Sequence, residues 1–427
     1  MYNAAQARIS QKRGSLRLRL SRGQGAETPI AIQLLSMSNF RWLWLSNGLT
    51  LMGFQIRNMG QAWITLDITD GSQFWVGVVN GTPAITIMVF SIMGGVAADR
   101  LPRQRILILT RMALAWLAFA TAFLVATDLL AIWMLIVLGA MAGLMLAFNN
   151  PASQTLIVDI VGRERTMSAV SLNQGISNLG NIVGPAVGGL LIAYLGVDSV
   201  FFVLTGLYVG GSAAVLLLKL PKQEPRPPSP VVGDLVDGLK YVARTPHVAW
   251  LMFMAGLVIF VGMYLPMVPI YARDVLEVGS EGFGFLEAAF GVGALVGSAA
   301  ITVMGNVRRK GLIIMLMAVM VGGSFVVFGL SRIFYLTLIV QVVIGIGASF
   351  WIASVTTVLQ TTVDEEMRGR VMGVYFMAMQ LMGFGWIIGG YVAETLGNTS
   401  TLLLAGIGFM VLNLLAYASS RPLREID

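Results

Sequence analysis

Apolar runs of about membrane-spanning length, separated by short polar or charged stretches, dominate the chain from residue 40 to residue 420. A helix needs about 20 apolar residues to cross a ~30 Å hydrocarbon core, and at that length the runs predict twelve spans. The first six cover 40–66, 74–97, 106–126, 129–148, 167–194 and 200–218. The second six cover 248–271, 283–304, 312–330, 334–359, 371–395 and 401–418. Between the two sets, PKQEPRPPSP cannot continue a helix. The following GDLVDGLKYVARTP brings Leu235, Leu239 and Val242 round at helical spacing, which predicts a short amphipathic helix on the membrane surface. The expected organisation is a basic tail (1–39), a six-helix half (40–220), a linker (221–246), a second six-helix half (247–420) and a short tail (421–427).

The two halves resemble each other. A shift of 205 residues lays Val158-Asp159 on Val363-Asp364, Arg163 on Arg368, Arg165 on Arg370 and Ile182-Val183-Gly184 on Ile387-Ile388-Gly389. A shift of 207 lays Asp67 on Asp274 and Gly77 on Gly284. A near-constant offset across six spans predicts an all-α membrane protein of twelve transmembrane helices in two six-helix pseudo-repeats. Such parallel repeats are related by an axis along the membrane normal, with a ligand site between them near the midplane. One chain then supplies both halves, and a monomer is expected.

Charge fixes the orientation. The net charge is +7, and all but three of the 28 basic residues fall in segments that share one side of the membrane. The exceptions are Arg57, inside the first span, and Arg273 and Arg332 in opposite-side loops. By the positive-inside rule both termini face the cytoplasm, which places the chain in the cytoplasmic (inner) membrane as a multi-pass protein. The positive charge reads as a topology signal, and no nucleic-acid partner is expected. Composition agrees: 56% of residues are hydrophobic, 11% are charged, and mean hydropathy is +0.80. The chain has no cysteine, which excludes thiolate metal sites, and a single histidine, His247, so a zinc site or a His-based triad is not expected. No phosphate-cradling Gly-rich Lys-Ser/Thr loop occurs. The expectation is therefore a non-enzyme without cofactor or metal.

Candidate functional residues are polar groups inside spans. Arg57 and Gln61 mark the first span, Asn80 the second, and Asn173, Ser177 and Asn181 recur every four residues along the fifth. Gln341 and Trp351 lie in the tenth span, Gln380 and Trp386 in the eleventh. Such groups are costly against lipid, so they are expected to line a substrate cavity. For Arg57 two roles stay open: a structural pair with Glu287 or the amides of the second and fifth spans, or a contact to an anionic or catecholate-like substrate group. Glu287, an acid within the eighth span, is a candidate proton carrier, set against a solvated carboxylate near the outer surface. Gly180, Gly184 and Gly188, with Pro185 and Gly189, give the fifth span a smooth face for close helix approach.

Between the second and third spans stands Gly95-Val96-Ala97-Ala98-Asp99-Arg100-Leu101-Pro102-Arg103-Gln104-Arg105. The acid can neutralise a helix N-terminus, and the arginines can pair with Asp159 or Glu164 on the neighbouring loop. Gly95, Asp99, Arg100 and Arg103 match the signature loop of the major facilitator superfamily, while Ala97, Pro102 and Gln104 depart from it. The fifth-span pattern resembles the superfamily's exporter motif, associated with antiport. FRWLWLSN, GVVNGTPAI, GLKYVARTP and VDEEMRGRVMGVY resemble the enterobactin-exporter-like, transmembrane secretion effector branch. The fourth span lacks the arginine usual in drug–proton antiporters, with Gly139 near that position. The resemblance implies efflux of a small amphiphilic molecule (siderophore-like, drug-like or another metabolite) by alternating access, with protons as the coupling ion and the lipid bilayer as surroundings. A lipid or lysolipid translocator and a non-transporting scaffold of a secretion system remain alternatives.

Overall fold

A computed structural model describes residues 30–220, 231–304 and 310–419. The outer tails, the proline-rich start of the linker and the loop at 305–309 lie outside the described residues. The described chain is helical. A short helix α1 (Ile30–Ser36) precedes α2 (Ser38–Ile68), α3 (Gln73–Arg100), α4 (Arg103–Ala126), α5 (Ile132–Val161), α6 (Thr166–Leu195) and α7 (Val197–Leu216). Helix thus begins at Ile30, inside the segment expected to be tail. The linker contributes α8 (Val231–Arg244). The seventh span is broken into α9 (Pro246–Gly256), α10 (Val258–Tyr264) and α11 (Met267–Ile270), ending in a π-helical turn at Tyr271–Val275. Then come α12 (Gly279–Met304), α13 (Lys310–Leu330), α14 (Phe334–Thr362), α15 (Glu365–Met379), α16 (Met382–Leu396) and α17 (Asn398–Ser419).

Eleven of the described stretches are long and apolar enough to cross a membrane. The stretch expected as the first of twelve, α2, is long enough at 31 residues but is not among them. Its middle carries Gln55, Arg57, Asn58 and Gln61, which dilute the hydropathy on which such a count depends.

The packing repeats as the sequence does. In the first half α2 packs on α6 and α7, α3 on α5, and α4 on α5 and α7. In the second half α10 packs on α16 and α17, α12 on α14, and α13 on α14 and α17. The turns after the fifth and eleventh spans also match, Gly196 at φ 88°, ψ 161° and Gly397 at φ 86°, ψ 159°. Both values lie where only glycine is unstrained. The halves meet along two seams, α3 against α16 and α6 against α12, which exchange under the same repeat.

The linker helix does more than lie on a surface. Its Asp234 and Asp237 bind Arg370 at 2.8 and 3.3 Å. Tyr241 donates to Asp364 at 2.9 Å, and Gly238 abuts the Arg370 carbonyl. The helix is clasped to the start of α15, with Tyr241 and Val242 packed on the core of the second half and Val236 and Leu239 facing outward.

Candidate functional site

Arg100, Arg103, Arg163, Arg165, Arg368 and Arg370 stand at span ends on one side of the bundle, the basic end. From the opposite end to mid-span the seams are closed backbone to backbone. A methyl group placed on Gly189 would lie 2.6 Å from the Ser280 carbonyl oxygen and 2.9 Å from Gly284 Cα. One on Gly81 would lie 2.5 Å from the Gly383 oxygen, and one on Gly291 2.5 Å from that of Asn181. Gly77 abuts the Trp386 carbonyl and Gly390 that of Gln73. Cβ atoms are not found so close to backbone, so glycine alone permits these contacts. Glu394 reinforces the first seam by accepting from Ser72 Oγ and from the Phe74 N–H, each at 3.0 Å. Trp63 stacks on Phe283 across the halves, centroids 6.3 Å apart. Arg273 reaches Asp67 at 4.0 Å and Asp274 at 3.6 Å, and those two acids are the pair matched by the repeat.

Toward the basic end glycines of the same spans meet open space. Methyl groups on Gly95, Gly175, Gly369 or Gly373 would meet nothing within 4 Å. Asp99 is half-buried and makes no hydrogen bond or ion pair among the described residues. Arg103, by contrast, pairs with Asp159, as its place beside that loop suggested, and its Nε donates to the Ala98 carbonyl at 3.1 Å. Gln104, a departure from the signature loop, donates to the Val215 and Leu218 carbonyls and so caps the end of α7.

The fifth-span glycines divide their work. Gly180, Gly184 and Gly188 pack on α2, where a methyl group on Gly184 would lie 2.9 Å from Gln55 Cβ and one on Gly188 3.3 Å from Met59 Sδ. The Pro185 carbonyl and Gly189 turn to α12 instead.

Of the cavity candidates, Asn173, Ser177, Asn181, Asn80, Gln380 and Trp386 are partly exposed on helices that form the seams or their continuation. Asn80 and Ser177 spend their donors on backbone carbonyls of their own helices. Four candidates are placed otherwise. Gln341 and Trp351 are 1% and 2% exposed inside the second half. There Gln341 accepts from Tyr264 at 2.5 Å, and Trp351 meets Phe409 edge-on. Gln61 and Arg57, 4% and 5% exposed, sit in a cavity of the first half bounded by α2, α4, α5 and α7. Arg57 therefore pairs with neither Glu287 nor a group in the space between the halves. Its guanidinium lies 5.2 Å from the Phe54 ring centroid and donates to Asn58 at 3.3 Å. Glu287 is partly exposed on α12.

Arg111 corrects the charge reading. Counted from sequence with the basic loop, it stands eight residues into α4, about 12 Å deep, and is 1% exposed. It donates to Ser46 and, at 2.8 Å, to Asn47. Asn47 also bonds Asn173 and Ser153, each at 3.0 Å. This network ties α2, α4, α5 and α6 together. The signal in the sequence was three polar residues, Ser46, Asn47 and Ser153, each eight or nine residues from the basic end of neighbouring spans.

These features are those of a two-lobed carrier closed at one end. The family described as transmembrane secretion effector matches residues 30–427. The chain belongs to this family of major facilitator transporters. It is 26% identical over 395 residues to the multidrug efflux pump Tap of Mycolicibacterium fortuitum, covering 89% of this chain and 93% of that one. It is 28% identical over 358 residues to the enterobactin exporter EntS of Escherichia coli O81 (strain ED1a), covering 80% and 81%. Among solved structures, a POT family transporter in complex with 5-aminolevulinic acid superposes with a TM-score of 0.74 at 12% identity, covering 90% of this chain and 96% of that one. The nucleoside transporter NupG superposes with a TM-score of 0.70 at 14% identity, covering 89% and 99%. These likenesses establish a multi-pass membrane protein with a transporter fold.

Proposed function

We propose that this protein is a twelve-span exporter of small amphiphilic compounds, working by alternating access with both termini in the cytoplasm. The observation that carries the reading is the asymmetry of the seams, closed by glycine contacts from the opposite end to mid-span and with glycines facing open space toward the basic end. With the basic end cytoplasmic, this is the state that takes substrate from inside. The named relatives, an efflux pump and an enterobactin exporter, support the export direction. In this reading α2 is the twelfth span, tolerated despite its polar middle because other helices surround it. Substrate meets Asn173, Asn181, Gln380 and Trp386 between the halves. Glu287 takes up and releases the coupling proton, and the unit is a monomer in the inner membrane.

The test uses inverted membrane vesicles energised by respiration and a panel of catecholate and lipophilic cationic compounds. Uptake of at least one compound, abolished by a protonophore and by Glu287→Gln, is expected. Uptake that survives Glu287→Gln would remove that residue from coupling. No uptake of any panel member, with no metabolite accumulating inside cells that lack the protein, would overturn the exporter reading.

A further inference from the structure

The cavity that receives Arg57 lies inside the first half, away from both seams. It is lined by Arg57 and Gln61 of α2, Thr121 of α4, Ala142 of α5, and Phe201 and Tyr208 of α7, among others. Three of its polar side chains are buried with atoms that have no hydrogen-bond partner among the described residues: Arg57 Nε and Nη1, Gln61 Oε1 and Tyr208 Oη. Two of these groups, the guanidinium and the phenol, are donors. The Gln61 amide can present either its nitrogen or its oxygen, since the two ends are assigned from their partners. Thr121 donates to the Leu117 carbonyl at 2.8 Å, and its oxygen can still accept a neutral hydrogen bond but carries no charge to offset the guanidinium.

Charge sharpens the question. Arg57 lines the cavity together with Tyr208, and a second buried guanidinium, that of Arg111, lies in the same half. Among the described residues no carboxylate forms an ion pair with either arginine. The cavity measures about 20 Å³. That is room for a particle the size of one water molecule, and too little for a carboxylate-bearing substrate or a phosphate. Donors converging on a small space beside uncompensated positive charge select a compact monovalent anion.

We propose that the first half holds one halide-class anion, such as chloride, between Arg57, Gln61 and Tyr208. The anion satisfies the free guanidinium donors, neutralises part of the buried charge and braces α2 against α7. It is a resident of the half and not the transported compound, so the idea stands or falls apart from the export reading.

The experiment measures radiochloride binding to the purified full chain in detergent, without export substrate and at constant ionic strength made up with gluconate. Saturable binding of one chloride per chain, displaced by bromide, is expected. Tyr208→Phe removes one donor and weakens the affinity about 10- to 100-fold, the loss expected for a hydrogen bond to a charged partner. Arg57→Gln abolishes saturation. Should Arg57→Gln fail to fold, Tyr208→Phe and crystals grown in bromide decide the matter, through an anomalous peak between the three side chains. Absence of saturable binding, binding unchanged in Tyr208→Phe, or a bromide-free water in the cavity overturns the proposal.

Discussion

Replacing Glu394 by glutamine tests the opposite-end closure at the point where it is held by charge. Glu394 belongs to the second half, and its partners Ser72 Oγ and the Phe74 N–H, both at 3.0 Å, belong to the first. Opening that end must break both bonds. Glu394 is exposed, so each bond is discounted to the surface range of a few tenths to 1 kcal/mol. The carboxylate also faces the N-terminus of α3, where a negative charge contributes about 0.3–1 kcal/mol. Glutamine can keep one neutral hydrogen bond and loses the charge. The net loss is about 1 kcal/mol, or roughly fivefold in the ratio of opposite-end-open to closed protein. The chain has no cysteine, so Leu129→Cys and Tyr335→Cys, exposed positions at the opposite end of each half, can be spin-labelled without background. Pulsed electron–electron distances in Glu394→Gln should gain a longer component, and the gain should shrink in high salt as screening removes the wild-type advantage. An unchanged distribution at low salt refutes the assignment, and so does a shift of equal size at all salt concentrations.

Three further outcomes are expected. Gly189→Leu places side-chain volume where even a methyl group lies 2.6 Å from the Ser280 oxygen; transport in vesicles should fall by at least tenfold, whereas Gly175→Ala, facing open space, should keep its melting temperature. Arg103 is buried and pairs with Asp159, so Asp159→Asn should destabilise the first half by about 2–4 kcal/mol, below the full range for a buried pair because the acid is partly exposed, and thermal unfolding of the double variant with Arg103→Met should recover part of that loss. Arg370→Gln releases the linker clasp and should raise hydrogen exchange across residues 233–244 by a fewfold, consistent with a surface ion pair.

How far these features could be read from sequence depended on what each helix face touches. Span positions, the repeat, the linker helix and the pairing of Arg103 with Asp159 rest on length, offset and charge, all of which survive without knowing the neighbours. The glycine face at 180, 184 and 188 was legible as a packing face, but its partner α2 was not. Arg57, Arg111, Gln341 and Trp351 show the limit more sharply. Inside a membrane both lipid and protein interior are apolar, so the contrast that tells a buried face from an exposed one in water fades. A polar residue then announces only that it avoids lipid. Whether it turns into the space between halves, as was expected for Arg57, Gln341 and Trp351, or into the core of one half depends on a rotation of the helix that hydropathy does not encode. Glu394 was missed for a related reason: it lies one residue from the end of a predicted span, and only the crossing of α16 and α3 gives it partners.

The distribution of polar and glycine contacts bears on how such a protein could move. Within the first half, Arg111, Ser46, Asn47, Ser153 and Asn173 join four helices by hydrogen bonds across apolar surroundings. Separating any of these helices would strand buried donors, each at the cost of an unmade bond. The seams between halves are built the other way. Gly77, Gly81, Gly189, Gly284, Gly291, Gly383 and Gly390 bring backbone against backbone, with a few apolar side-chain contacts beside them, such as Trp63 on Phe283. Parting a smooth seam loses dispersion contact spread over many atoms and leaves few unsatisfied groups, since the carbonyls involved are already bonded within their own helices. Each half is thus stiff and the joint between them is slippery, the combination that rigid-body rocking requires. The few directional bonds across the joint, at Glu394 and between Arg273 and Asp67, sit at its exposed rim. There water can replace them as they open, so they can set the balance between the two states without adding a large barrier to their exchange.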